Sequence, residues 1–491
     1  MSAGPSTGLE TSLDRSFQLV PADDLSAFEA CSGIQVLPSE AVIDRYRCPQ
    51  DLVTIASSEP PSSREGFFRF GQHGICYGRS RSTVLSARPE SLFHDVSTEV
   101  AIENTKLLLP FNLKEVIDNL RLERYKNGEA SESRLFQFCK NLYYYLRPFT
   151  NQMVRRQVQR FHARNWKRRS FPQWPIDTTV ENVFETVLLL SMKAKGLEKI
   201  PFVWFWPNGA SGCLTMTHDV ETEAGRHFCP TLMDVDEAFG IKAAFGIVPE
   251  ERYEVPAALL ESMRARGFEV IIQDLNHDGR LFDDKQEFLR RAKIINRYGR
   301  EFGASGFRAA VLYRKPEWYD ALDFAFDMSF PNVAPLDPQQ GGCCTVMPFF
   351  IGDMLELPVT TVQDYTLFHV LNERSIELWK SQIDLVLKKN GLLSFIVHPD
   401  YVLQPDTLSV YKYLLRHLQG LREETSIWCA LPREINAWWR ARSKMAVVKD
   451  GASWRIVGEG SHRAVLAYAK NVNGKIVYEF SPSAASMKPK R

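Results

Sequence analysis

Residues 214 to 221 read Leu-Thr-Met-Thr-His-Asp-Val-Glu, an apolar run that ends in two carboxylates placed two residues apart. Read as a strand, the run alternates faces, so Asp219 and Glu221 point the same way, roughly 6 to 7 Å apart along the backbone, while His218 and Val220 point to the other side. Two acids on one face at the C-terminal end of a strand can divide labour, one binding a metal and the other taking a proton from metal-bound water. An Asp-x-Glu by itself is more often a pair of solvated acids at a strand-to-loop junction. What lies downstream decides between the two.

From residue 212 onward the chain alternates strand and helix. Apolar strand-like runs fall at 212 to 218, 242 to 248, 268 to 273, 325 to 329, 354 to 357, 392 to 397 and 426 to 430. Helical segments fall at about 230 to 239, 255 to 266, 284 to 302, 373 to 389, 406 to 419 and 431 to 444. This rhythm predicts a parallel α/β sheet closed into a barrel or a barrel-like form, with its chemistry at the C-terminal strand ends. Reactive side chains stand at or just past four such ends: Asp219 and Glu221, Gln273 through His277, Arg308, and His398. Each alone has a structural explanation, but their coincidence points to a hydrolytic site.

On these residues the chain resembles the polysaccharide deacetylase family of metal-dependent carbohydrate esterases, over about residues 212 to 400 and with the motifs in order. Thr217-His-Asp-Val-Glu221 is similar to the first motif, which implies Asp219 as base and Glu221 as metal ligand. Gly267-Phe-Glu-Val-Ile-Ile-Gln-Asp-Leu-Asn-His-Asp278 is similar to the second, which ends in two metal-binding histidines; His277 matches one, and Gln273 stands in the place of the other. Gly306-Phe-Arg308 resembles the third, whose arginine holds the base, and Ser394-Phe-Ile-Val-His398 resembles the last, which supplies the catalytic acid. The resemblance implies a distorted (β/α) barrel of the deacetylase type and a divalent metal, zinc first, with cobalt or nickel as alternatives. A glutamine oxygen is a weaker ligand for such an ion than an imidazole nitrogen. Asp274 or Asp278 could substitute for it, as could His227 or His369, and Asp400 or Asp327 could orient the His398 ring. The implied reaction is hydrolysis of a non-peptide C–N bond, most simply of the acetamido group of an N-acetylated sugar or glycan precursor. The departure at Gln273 keeps open a second reading, a non-catalytic glycan-binding or scaffolding protein on a degenerate barrel.

Composition narrows the rest. Lys plus Arg number 60 against 59 Asp plus Glu in 491 residues, so net charge gives no reason to expect nucleic acid as a partner. The nine cysteines are scattered without a C-x-x-C pair, as in a reduced cytosolic protein. The first residues lack a secretory pattern and no apolar stretch is long enough to span a bilayer, which predicts a cytoplasmic location. No phosphate-cradling or dinucleotide glycine loop is present, which argues against ATP and NAD. Adjacent Cys343 and Cys344 after two glycines are read as loop residues rather than a nucleophile.

Four segments are expected: a disordered lead-in at 1 to 25, an N-terminal α+β region at 26 to 200 of unassigned role, the barrel at 205 to 445, and a small β module at 446 to 491. The N-terminal region carries helical patterns at 112 to 147 and 178 to 195. Between them, residues 147 to 169 hold eight Arg or Lys and no acid, interleaved with Phe161 and Trp166. That mixture suits a solvated helix face, a peripheral contact with an anionic membrane or a grip on phosphate.

Overall fold

The computed structural model describes residues 34–35, 40–58, 64–72, 74–82, 84–89, 93–128 and 171–481. The basic stretch at 147 to 169, the helical pattern around Leu135 to Leu146 and the lead-in at 1 to 25 lie outside the described residues.

Nine strands form the central sheet: β1 (Gly212–Val220), β2 (Ala243–Ile247), β3 (Glu269–Gln273), β4 (Gly306–Arg308), β5 (Phe326–Asp327), β6 (Phe349–Ile351), β7 (Met354–Glu356), β8 (Leu392–Ile396) and β9 (Ile427–Cys429). Their order is β6-β7-β5-β4-β3-β2-β1-β8, with β9 also paired to β1. All neighbours run parallel except β6 against β7. The result is a curled, mostly parallel half-barrel rather than a closed ring. Its β8 edge is covered by a loop, because Leu392 donates its N–H to the Val346 carbonyl (2.8 Å) and the Thr360 and Thr361 hydroxyls donate to the Leu392 and Ser394 carbonyls.

Every residue of β1 is buried, as expected of a strand covered on both faces. Its outward residues Leu214, Met216 and Val220 pack with Leu232, Met233, Tyr411 and Leu414 from the flanking helices. The first of these helices, Glu223–Ala238, starts seven residues earlier than the pattern from 230 suggests. Thr222 caps it by accepting the Gly225 N–H, and Pro230 sits inside the helix.

The inward face explains the N-terminal region. Lower-barrel residues Cys213, Ala244, Ile271, Phe326, Leu355 and Leu392 share one apolar cluster with Phe205, Trp206, Phe184 and Val187 from the preceding 180 to 206 segment and with Trp438. The open half-barrel is thus plugged from below, leaving only its upper end for polar chemistry. The region also grips the loops above the sheet. Buried Glu123 ion-pairs Arg314, Tyr125 donates to the Gly342 carbonyl at 2.7 Å, and Asn332 exchanges bonds with the Asp177 backbone at 2.7 and 2.8 Å. The tail is antiparallel as expected, in two hairpins. The second, Leu466–Val472 with Lys475–Phe480, joins Lys199–Val203 in a three-stranded sheet, so tail and N-terminal region share structure. No helix among the described residues is long and apolar enough to cross a membrane.

Candidate active site

Register brings the site together. Asp219 pairs with Gly246, Gly246 with Ile271, and Gln273 with Arg308, so Asp219, Gln273 and Arg308 share the inner face at the upper strand ends. Glu221 follows β1 directly, His277 lies in the loop after β3, and His398 stands two residues past β8.

Arg308 is fully buried and fixed by four bonds: Nη1 donates to Asp219 Oδ1 (2.6 Å) and Thr217 Oγ1 (2.8 Å), Nε to the Met328 carbonyl (3.0 Å) and Nη2 to Met328 Sδ (3.7 Å). The Asp219 carboxylate is therefore held in one orientation by a charge-assisted pair. Gly246 makes room for it. A Cβ at that position would lie 2.8 Å from Asp219 Oδ1 and 3.4 Å from Gln273 Cβ. Since Arg308 pins the carboxylate, Gly246→Ala is expected to cost about 1–3 kcal/mol of stability and to lower turnover by displacing Asp219, as checked by chemical denaturation beside an activity assay.

Across the site, His398 Nδ1 lies 2.6 Å from Asp364 Oδ1, and the other Asp364 oxygen accepts the His398 backbone N–H at 2.8 Å. Burial alone would lower the imidazole pKa, but Asp364, with Glu221 and Asp219 beyond it, raises it from 6.5 to about 10. His398 is thus a cation at neutral pH. Asp364, not Asp400 or Asp327, orients the ring. Asp400 instead accepts the Glu221 backbone N–H (3.0 Å) and the Thr222 hydroxyl, shaping the turn after β1. Asp327 faces outward, where it accepts from Ser329.

Glu221 lies beside His277 and His398. Its Oε1 is 2.9 Å from His277 Nε2 and 3.6 Å from His398 Nε2, and Tyr401 donates to its Oε2 at 3.3 Å. Burial opposes its charge, yet His277, His398 and Arg252 hold the carboxyl well below the usual range. Arg252 Nη2 sits 3.1 Å from His277 Nδ1 and 3.2 Å from the His277 carbonyl. A guanidinium only donates, so this contact uses the Nδ1 lone pair and leaves the ring proton on Nε2.

Donor atoms here fit a weakly held cation. His277 Nε2 and Gln273 Oε1 are both buried without a hydrogen-bond partner, and the close Glu221 oxygen is not aligned with that Nε2 as a hydrogen bond. An ion would take the place of the Nε2 proton. Among the described residues no three His, Cys, Asp or Glu side chains gather as a metal cage. The substitutes considered from the sequence fare differently. Asp278 is bound by both Nη atoms of Arg291 (2.9 and 2.8 Å), His227 is exposed on a helix near Glu223, and Asp274 is buried with one oxygen on the Leu275 N–H and the other unpartnered. Burial pushes the thiols of Cys343 and Cys344 well up, which suits inert loop residues.

His369 belongs to a third wall. It sits on a π-helical turn, Thr366–Val370, and packs with Tyr365 (ring centroids 5.3 Å apart) and Tyr401 (5.2 Å), while Tyr401 lies 4.9 Å from the His398 ring. The three rings are partly exposed beside the reactive groups. Such π-turns concentrate at functional sites.

No family model matches the chain, and no curated protein matches it. Solved structures do. A protein from Mycobacterium smegmatis described as a polysaccharide deacetylase is 15% identical with a TM-score of 0.39, covering 51% of this chain and 98% of that one. PuuE allantoinase is 14% identical with a TM-score of 0.38, covering 48% and 92%. A family 4 acetyl xylan esterase from Clostridium thermocellum, solved with a cobalt ion, is 13% identical with a TM-score of 0.30, covering 46% and 91%. Solved structures similar to about half of this chain thus include a polysaccharide deacetylase, an allantoinase and an acetyl xylan esterase, each at 15% identity or less.

Proposed function

We propose that the protein hydrolyses a non-peptide C–N bond, removing the acetyl group from an N-acetylated sugar or glycan precursor. The observation that carries this reading is the pair of oppositely charged couples, Asp219 with Arg308 and His398 with Asp364, gathered at the upper strand ends with Glu221 3.6 Å from His398. A base and an acid so placed can act on one bond in sequence. Water adds to the acyl carbonyl as the Asp219 carboxylate accepts its proton, with Arg308 holding that carboxylate in line. The tetrahedral centre then collapses to acetic acid as the C–N bond breaks. The departing nitrogen takes the proton from His398 Nε2, and Asp364 stabilises the imidazolium until that transfer. Tyr365, His369 and Tyr401 offer ring faces against which a sugar can lie.

Glu221, His277 and Gln273 are the residues that would hold a divalent ion, zinc or a similar metal, which when bound supplies Lewis-acid polarisation of the acyl carbonyl. One nitrogen and two oxygens make a looser site than one with a second imidazole. Gln273→His is therefore expected to tighten zinc binding at least about tenfold, as read by metal titration with Glu221→Ala as the non-binding control; unchanged affinity would place the ion elsewhere.

The reading is tested by acetate release from a panel of N-acetylated hexosamines and their oligomers, with free amine expected in equal amount. Gln273 favours one other possibility, a glycan-binding protein without turnover. Saturable sugar binding with no acetate released from any member of the panel would establish that alternative.

A further inference from the structure

Two acids that the proposed reaction does not use lie on the outer face of the sheet, behind Arg308. Parallel register sets Asp327, the last residue of β5, beside Glu356, the last residue of β7, so both side chains leave the sheet on the same side. Neither is exposed at all. Phe307 on β4 and Phe349 on β6 flank them in register, and Tyr319 and Cys343 of the same apolar cluster face the pair. Each carboxyl has one oxygen engaged: Asp327 Oδ1 accepts the Ser329 hydroxyl (2.7 Å), and Glu356 Oε1 accepts the Phe330 N–H (3.0 Å). The other two, Asp327 Oδ2 and Glu356 Oε2, are buried without a donor. The carboxyls are close enough to hydrogen-bond each other, an approach at which two ionised groups only repel.

No cation answers this pair. Among the described residues no Lys, Arg or His lies within ion-pair distance of either acid. Arg308 attracts the Glu356 charge from the inner face but directs its N–H groups to Asp219, Thr217 and Met328, and Arg121 lies over the Phe349 ring. The remaining titratable neighbours are neutral, since burial pushes the Tyr319 phenol and the Cys343 thiol well up. Burial drives both carboxyls up as well, and the Asp327 charge drives Glu356 further. One proton between the acids removes a charge and gives Oδ2 and Oε2 a partner each.

We propose that Asp327 and Glu356 hold one proton between them at neutral pH, carried on Glu356 Oε2 and donated to Asp327 Oδ2, which makes the pair a pH-sensitive fastening on the outer side of the sheet. Ser329 carries the bond on to the Ala309 N–H (2.9 Å), and the Met328 carbonyl between them receives Arg308 (3.0 Å), so the fastening lies directly behind the arginine that holds Asp219. A carboxyl whose folded-state pKa is raised costs stability as pH rises: the loss begins near its ordinary value of 4.5 and continues until the folded pair gives up its proton.

Glu356→Gln tests this without any need for turnover. The amide keeps an oxygen for the Phe330 N–H and offers Asp327 a permanent N–H in place of the shared proton. Thermal melts of the wild-type protein and the variant are compared from about pH 5 to about pH 9. The melting temperature of the variant minus that of the wild type is expected to grow by at least about 2 °C over that range, the His398 contribution being common to both. The infrared spectrum of the wild type minus that of the variant, at neutral pH, should show the carbonyl stretch of a protonated carboxylic acid. A melting difference that does not change with pH, or absence of the acid band, would overturn the proposal, because both acids would then be ionised. Failure of Glu356→Gln to fold would overturn it too, since the amide satisfies each contact that a shared proton makes. A separate measurement uses chelator-treated wild-type protein: a melting temperature raised by added magnesium or calcium, with no such rise in Glu356→Gln, would put a metal ion where the proton is placed and overturn the proposal.

Discussion

Arg308→Met is expected to lower the unfolding free energy by about 3–5 kcal/mol, because it leaves a buried carboxylate without its partner. Asp219 is 3% exposed and Arg308 not at all, so water cannot replace the lost guanidinium. The Thr217 hydroxyl and the Met328 carbonyl lose a bond at the same time. Adding Asp219→Asn to Arg308→Met should recover part of the loss, since the orphaned group is then neutral. Urea unfolding of the two single variants and the double variant measures this. A loss under about 1 kcal/mol, the value of an exposed pair, would mean that water reaches the pair freely.

Asp364→Asn should move the alkaline limb of the pH–rate profile down by about one to three units. His398 can donate a proton only while charged, and Asp364 is the strongest influence keeping it charged, up to about pH 10. The same shift carries a stability signature. The folded-state pKa lies above the unfolded value of 6.5, so the His398 contribution is fully present below about 6.5 and is lost as pH rises through 10. Thermal melts of the wild-type protein should therefore decline across that window, and those of Asp364→Asn should complete this decline at lower pH. An unmoved rate limb would assign the acid to another group.

What was legible in the sequence follows from how local each signal is. The Leu214–Glu221 run announces itself by alternation and terminal acids, and the later strands by short apolar runs between helices. β4 and β6, of three residues each, are too short to show a period. His398 could be singled out because it follows such an apolar stretch, and Arg308 because Gly306-Phe-Arg308 resembles the third family motif. Asp364 could not: it opens the short helical turn that runs into Thr366–Val370, 34 residues before its partner, and only the cover over the β8 edge brings the two together. Arg252 was hidden likewise, in a loop placed by Tyr253. Gly246 has no sequence signal beyond its smallness, since its role is a close approach across two strands. The use of the 180 to 206 segment as the floor of the half-barrel depends on contacts with strands far along the chain, which periodicity does not report. Gln273 was visible at once as a departure. Its buried, unpartnered oxygen shows what the departure costs.

The most direct test of the central claim, that side chains nearly two hundred residues apart form one hydrolytic centre, is the kcat/KM for acetate release by Asp219→Asn on the best substrate of the panel. A loss of about 10²–10⁴-fold, with sugar affinity retained, is the result predicted. Release at the wild-type rate would contradict the account, for the group held by Arg308 would then have no part in the chemistry.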